Sequence, residues 1–213
     1  MDGIFITLEG PDGSGKTTAL QEIVRKLPEY TEKQIFATRE PGGSPIAEKI
    51  REIILDTTHT EMDARTEALL YAASRRQHLV EKVIPALEKG AIVLCDRFVD
   101  SSIAYQGFAR GIGEAGIFKI NEFATEGIQP DLTLFLDIPA EVGLERILTN
   151  QDSREYNRLD QEKLDFHEKV REGYLRLAAE YPERIVTING CLSPEEVAKQ
   201  CLQSIQNRFY KEL

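Results

Sequence analysis

The sequence is short of cysteine. Cys95, Cys191 and Cys201 are the only three in 213 residues, and none forms a CxxC pair. That is too few for a disulfide framework and suits a reducing cytoplasm. No apolar run approaches the ~20 residues of a membrane span, so an integral membrane protein is excluded. Met1-Asp2-Gly3-Ile4 places no basic stretch ahead of an apolar one, and no secretory signal is expected. Positive charge is in deficit, with 26 Lys and Arg against 36 Asp and Glu and a net charge of −10. Sequence-independent nucleic-acid binding needs basic surface to displace counterions, so no nucleic-acid partner is expected. Internal repeats, low-complexity tracts and Pro/Gly/Ser-rich linkers are also missing. Residues 1–213 therefore read as one domain, large enough to bury roughly 70% of the surface its unfolded chain exposes. A small anionic substrate still fits, provided the basic groups gather in one cleft.

Five short, nearly continuous apolar runs are present: Ile4–Leu8, Gln34–Thr38, Ala91–Cys95, Leu132–Leu136 and Ile185–Ile188. Such runs suit parallel strands covered on both faces. Helical patterns lie between them. Leu20, Ile23, Val24 and Leu27 share one helix face, and Ser193-Pro194-Glu195-Glu196 is a capping box that starts a final helix. The alternation predicts an α/β fold with right-handed crossovers.

The first run ends in Glu9-Gly10-Pro11-Asp12-Gly13-Ser14-Gly15-Lys16-Thr17-Thr18 and leads straight into a helix. Residues 10–17 match G-x-x-x-x-G-K-[ST] in the strand-then-helix context that the motif requires. The glycines let several backbone N–H groups wrap a polyphosphate, and the helix terminus adds its positive end. Lys16 is placed for the outer phosphates and Thr17 for magnesium, so ATP or GTP binding is expected over Gly10 to Thr18. The Asn-Lys-x-Asp guanine-reading box of switch GTPases is not present.

Arginines mark the strand ends. Arg39 closes the second run, Arg51 lies on the next helix, and Arg97 follows the third run in Asp96-Arg97-Phe98. Ligands of open α/β sheets bind at the carboxyl ends of strands, and a planar guanidinium holds phosphate bidentately. Asp96 is the preferred carboxylate for magnesium, with Glu40 a further metal candidate. Asp137 ends a strand in the same manner but reads as a helix-start residue. Residues 66–87 form one long helical pattern, with Leu70, Ala73, Val80, Ile84 and Leu87 as its expected core face. Tyr71, Arg75 and His78 fall on the opposite face. An aromatic beside a guanidinium there suits a flat heterocycle, although a tyrosine half-covered by a neighbouring helix or a dimer partner fits the same pattern. Ser102 and Gln106, at helical spacing, carry heads suited to a base edge. Residues 150–160 are polar and carry Arg154 and Arg158. They read either as a lid that closes on phosphates or as a solvated loop whose arginines pair with Asp152, Glu155 and Asp160.

Together, Phe5 to Thr18, Thr38-Arg39-Glu40-Pro41-Gly42-Gly43, Asp96-Arg97-Phe98, Ala104-Tyr105-Gln106-Gly107 and Asn157-Arg158-Leu159-Asp160 resemble the thymidylate kinase family over essentially the whole chain. The resemblance implies a three-layer P-loop kinase fold with a five-stranded parallel sheet flanked by helices, and a cytoplasmic homodimer. It also implies transfer of the ATP γ-phosphate to dTMP, giving dTDP, with Mg2+. By the same likeness Tyr71 would stack on thymine, Arg75 would donate to its 4-oxo group, and Ser102 and Gln106 would contact the base or nearby groups of the acceptor. Arg39 and Arg97, with Arg51 close by, would hold the acceptor phosphate. Tyr105 would pack on the sugar and Asp12 would approach its 3′-hydroxyl. Gly13 in the phosphate loop, with Arg154 and Arg158 in the lid, matches the bacterial branch. Lys16, Arg97, Arg154 and Arg158 would then be the catalytic cations. One departure is Phe98, where the family often has tyrosine or histidine. The alternatives are a deoxynucleoside kinase, which would need Glu40 or Glu9 as a base, and a nucleotide-dependent regulatory ATPase.

Overall fold

The five apolar runs form five parallel strands: β1 (Ile4–Glu9), β2 (Ile35–Arg39), β3 (Ile92–Asp96), β4 (Leu132–Asp137) and β5 (Ile185–Asn189). The computed structural model describes residues 2–149 and 157–210. Strand order is β2-β3-β1-β4-β5, with β1 at the centre. Parallel neighbours require crossovers, which the helices supply. These are α1 (Lys16–Lys26), α2 (Pro45–Leu55), α3 (Ala64–His78), α4 (Ile84–Glu88), α5 (Val99–Ser102), α6 (Glu114–Thr125), α7 (Ala140–Thr149), α8 (Leu164–Glu180) and α9 (Pro194–Phe209). A π-helical turn, Leu79–Val83, joins α3 to α4, and another, Ile103–Ala109, continues α5. No helix among the described residues is long and apolar enough to cross a membrane.

Side-chain alternation along the strands makes two cores. Ile6, Leu8, Ile92, Leu94, Leu132, Leu134 and Leu136 face one way, onto α1 and α9. On the other face, Phe5, Val93 and Cys95 pack with Leu79, Val83 and Leu87. Phe135 packs there too, stacked on Tyr174 of α8. The predicted capping box of α9 is present, with Ser193 Oγ accepting from Glu196 N at 3.4 Å and Ser193 N donating to Glu196 Oε2 at 3.2 Å.

The expected faces of residues 66–87 are reversed along α3, whereas Leu87 is buried and Ile84 packs against the core as expected. Arg75 and His78 are buried with Glu67, Ala68, Ala72 and Ser74, whereas Ala73 and Val80 are exposed and Leu70 is half-buried. Two causes combine. The π-turn Leu79–Val83 inserts residues at a wider period, so one stripe drawn at 3.6 residues per turn through the core-facing Ile84 and Leu87 falls on the outer face of α3. The inward space of α3 is also filled by a polar cluster, which hydropathy does not register. Asp137 is likewise no helix cap. Its carboxylate accepts from Arg171 of α8 in a two-pronged pair, at 2.7 and 3.0 Å.

Candidate active site

All five strands point their carboxyl ends at one edge. Glu9, Arg39, Asp96, Asp137 and Asn189 end them, with Arg39 in register with Asp96 and Asp137 with Asn189. A cavity of about 870 Å³ opens there, one side of it lined by the phosphate loop from Asp12 to Thr18. Gly15 precedes α1 at φ 89, with open space where a side chain would project, so phosphate oxygens can reach the backbone. Gly13, at φ 77, lies so close to α7 that a Cβ would collide with the Gly143 carbonyl. The Gly-rich loop is therefore pinned on one side and open on the other.

Lys16 is buried, its ammonium donating to Gly10 O at 3.0 Å, Pro11 O at 2.7 Å and Ser14 Oγ at 3.1 Å. Burial, and then repulsion from Arg97, lower its pKa to about 8 against the pull of Asp96, Asp12 and Glu9. Thr17 Oγ1 donates to Asp96 Oδ2 at 3.1 Å, an exposed pair of hard oxygen donors beside the loop.

Arg97 has φ 71, a region that disfavours any side chain, and its N–H donates to Leu8 O at 3.0 Å. From there its guanidinium spans two sides of the site. Toward the loop it reaches Gly10 O at 3.1 Å and Asp12 Oδ1 at 2.7 Å; on the other side it reaches Ser101 Oγ at 3.1 Å and Tyr105 Oη at 3.2 Å. Tyr105 donates in turn to Asp12 Oδ2 at 2.7 Å, closing a triangle of Arg97, Asp12 and Tyr105. Glu9 lies beneath, accepting from Phe98 N, Ser101 Oγ and Tyr174 Oη at 2.7, 2.6 and 2.8 Å. Burial, and then the charge of Asp100, raise its pKa to about 7.

Tyr71, Ser102 and Gln106 line the far end of the cavity together with Arg51, whose Nη1 donates to Pro41 O at 3.0 Å. Arg39 reaches the mouth and pairs with Glu48 of α2 at 3.0 Å. Arg75 lies behind this lining. It donates through Nε to Glu40 at 2.7 Å, through Nη1 to Ser102 Oγ at 3.0 Å and to Asn121, and through Nη2 to Phe98 O at 2.8 Å. Four of its five N–H donors thus position protein groups. Glu40 accepts from Arg75 with one oxygen and faces His78 Nδ1 at 3.0 Å with the other. Cys95 lies within 4.8 Å of that pair, but its thiol donates to Arg97 O and His78 Nε2 bonds Thr38, so the cluster is already satisfied as a hydrogen-bond network.

The residue pair singled out in the lid is split. Arg154 falls outside the described residues. Arg158 sits on a 3-10 turn capped by Asn157, and its buried guanidinium donates to Ile54 O at 3.1 Å and to Glu67 rather than lining the cavity. Two lining or supporting residues went unread in the sequence. Glu67 shares the face of Tyr71 and Arg75 at spacings of four, which could have revealed it. Arg146 of α7 reaches Gly13 O at 3.3 Å and Gly190 O at 3.1 Å, flanking the loop beside Leu192, Pro194 and Val197. No local motif announces it.

A parallel sheet with a phosphate loop at its central strand, and a second group of arginines facing that loop across one cavity, define a P-loop nucleotide phosphotransferase. The family model described as "Thymidylate kinase" matches residues 8–201. A thymidylate kinase of Latilactobacillus sakei is 59% identical over 96% of this chain and 95% of its own. One of Halalkalibacterium halodurans is 60% identical over 97% and 98%. Among solved structures, the thymidylate kinase of Ehrlichia chaffeensis superposes with a TM-score of 0.76 at 31% identity, covering 96% of this chain and 99% of that one. The chain belongs to the thymidylate kinase family.

Proposed function

We propose that the chain transfers the γ-phosphate of ATP to dTMP, the phosphate loop and α1 holding the donor and the Arg97 side holding the acceptor. The observation that carries this reading is the place of Arg97. One guanidinium touches both the loop carbonyl of Gly10 and the Tyr105 wall of the second compartment, so it lies where two phosphate chains meet. Arg39 and Arg51 add charge on the acceptor side, and Tyr71 offers a ring to the base, with Ser102 and Gln106 beside it. At the other end, Arg146, Leu192, Pro194 and Val197 form a surface for the donor base.

The chemistry needs no general base. The attacking atom is a phosphate oxygen, mostly a dianion at pH 7 because its second pKa is ~6. Glu9 and Glu40, the bases a hydroxyl acceptor would require, are both buried and held by protein donors. The barrier is the approach of two polyanions in line, which positioning and positive charge lower. Lys16 and Arg97 supply that charge in the described structure. We assign Arg154 the same role from the lid, and Arg158 the anchoring of the lid's return onto Glu67. Thr17 and Asp96 are a donor set that fits Mg2+, whereas both oxygens of Glu40 are already engaged. Bound there, the ion would neutralise phosphate charge.

A homodimer completes the reading. Leu69 and Val80 along α3 and its π-turn, Ile53 on α2 and Phe123 on α6 are exposed, Phe123 to 88%, and these three helices pack side by side. Such an apolar face on an otherwise acidic chain is suited to a second copy. The direct test of function is ADP release with a panel of acceptors. Stimulation by dTMP is expected; stimulation by thymidine instead, or by neither, would reverse the reading.

A further inference from the structure

Glu67 is a buried carboxylate outside the catalytic groups that several side chains share. Its carboxylate accepts from Gln106 Nε2 at 2.8 Å, from Arg110 Nε and Nη2 at 3.3 and 3.2 Å, and from Arg158 Nη2. Burial would raise its pKa, but the Arg110 and Arg158 guanidiniums and the Gln106 amide hold it below the usual carboxylate range. It is therefore an acceptor and nothing else. That fact decides the orientation of Gln106. A carboxamide with one end against a carboxylate must turn its N–H2 toward it, because the reverse sets two acceptors face to face in a buried site. Gln106 is 1% exposed, yet it lines the cavity, and its Oε1 takes no donor among the described residues.

We propose that Glu67 is a positioning residue for base selection. It holds the Gln106 carboxamide with Oε1 toward the acceptor cavity, so the pocket takes a base whose ring edge offers an N–H and rejects one whose ring nitrogen is an acceptor. Thymine and uracil present that N–H at the Watson–Crick edge; cytosine presents a lone pair at the same place. A buried acceptor facing a lone pair loses a hydrogen bond and leaves two groups unsatisfied, the most effective form of discrimination open to a small pocket. The same carboxylate takes Arg158, and Arg110 bridges on to Glu162 at 2.6 Å, so the turn that follows the lid is fastened to the residue that sets base orientation. The inference rests on the dTMP kinase reading above.

The test compares kcat/KM for dTMP and dCMP in wild type, Glu67→Gln and Glu67→Asp. In Glu67→Gln the neighbouring carboxamide can donate as well as accept, so Gln106 is free to turn over. The dTMP-to-dCMP ratio is expected to fall by about tenfold or more, chiefly through KM. Glu67→Asp keeps an acceptor-only partner and is expected to retain the ratio even where activity drops. A folded Glu67→Gln whose two activities fall in proportion would overturn the inference. Should Glu67→Gln fail to fold, the wild type decides by side-chain amide NMR. The Gln106 N–H2 protons are expected to exchange slowly before and after dTMP is added. Fast exchange, or protection that appears only with dTMP, would show the amide facing the base and overturn it. Absence of dTMP phosphorylation by the wild type would bring down the functional reading too, whereas an unchanged ratio in an active enzyme brings down this inference alone.

Discussion

At the scale of single residues, the site is built from cations held against burial. Lys16 illustrates the consequence. It is enclosed by its own loop and faces Arg97, and its pKa of about 8 leaves it partly neutral just above physiological pH. A bound triphosphate brings negative charge to within hydrogen-bond reach and restores the proton. At pH 8, ATP binding should therefore take up about half a proton per site, falling toward zero at pH 6.5, where Lys16 is already charged. Calorimetric titrations in buffers of different ionisation enthalpy measure this, and Lys16→Ala should abolish it. Uptake that persists in Lys16→Ala would assign the proton elsewhere. Arg97 shows the other device. A left-handed backbone at a bulky residue is unfavourable by about 1 kcal/mol, yet it carries the guanidinium from the end of β3 to the junction of the two compartments.

At the scale of elements, the phosphate loop is held by α7 as much as by β1 and α1. Gly13→Ala places a methyl group against the Gly143 carbonyl at a φ that already favours glycine. We expect it to destabilise the fold by roughly 2 kcal/mol, a Tm fall of about 5 °C, and to raise the KM for ATP more than that for dTMP. Thermal unfolding and initial rates read both effects; unchanged values would mean the loop is free of α7.

The strands, the loop and the start of α9 were legible in the sequence because each rests on local chemistry. Fully apolar runs, a glycine-rich turn before a helix and a reciprocal cap all act within a few residues. The face of α3 was not legible. Its buried side is occupied by Glu67, Arg75 and His78, residues that hydropathy assigns to solvent, and their partners Glu40, Gln106 and Arg158 lie 35 to 91 positions away. Of the residues that prompted a nucleotide site, Tyr71 lines the cavity whereas Arg75 and His78 are buried behind it, so the reasoning that turned that face away from the core was mistaken. The burial of Arg158 went unread for a related reason, because two arginines in a polar segment cannot reveal that one is drawn down onto a buried carboxylate.

At the scale of the whole molecule, an acidic chain gathers several arginines at one edge of a sheet and exposes Ile53, Leu69, Val80 and Phe123 along α2, α3 with its π-turn, and α6. The second feature predicts self-association. Phe123→Asp should shift sedimentation from dimer toward monomer at micromolar concentration, and an unchanged sedimentation coefficient would place the contact elsewhere. The first feature is the central claim: one continuous cleft holds two nucleotides with their phosphates meeting at Arg97. The most direct measurement is the affinity of a single molecule that joins adenosine to thymidine through a chain of phosphates. A cleft of this kind should bind it at least about a hundredfold more tightly than ATP or dTMP alone, with the advantage largely lost in Arg97→Ala. Affinity no better than that of ATP would show that the two compartments do not meet, and the account would fail.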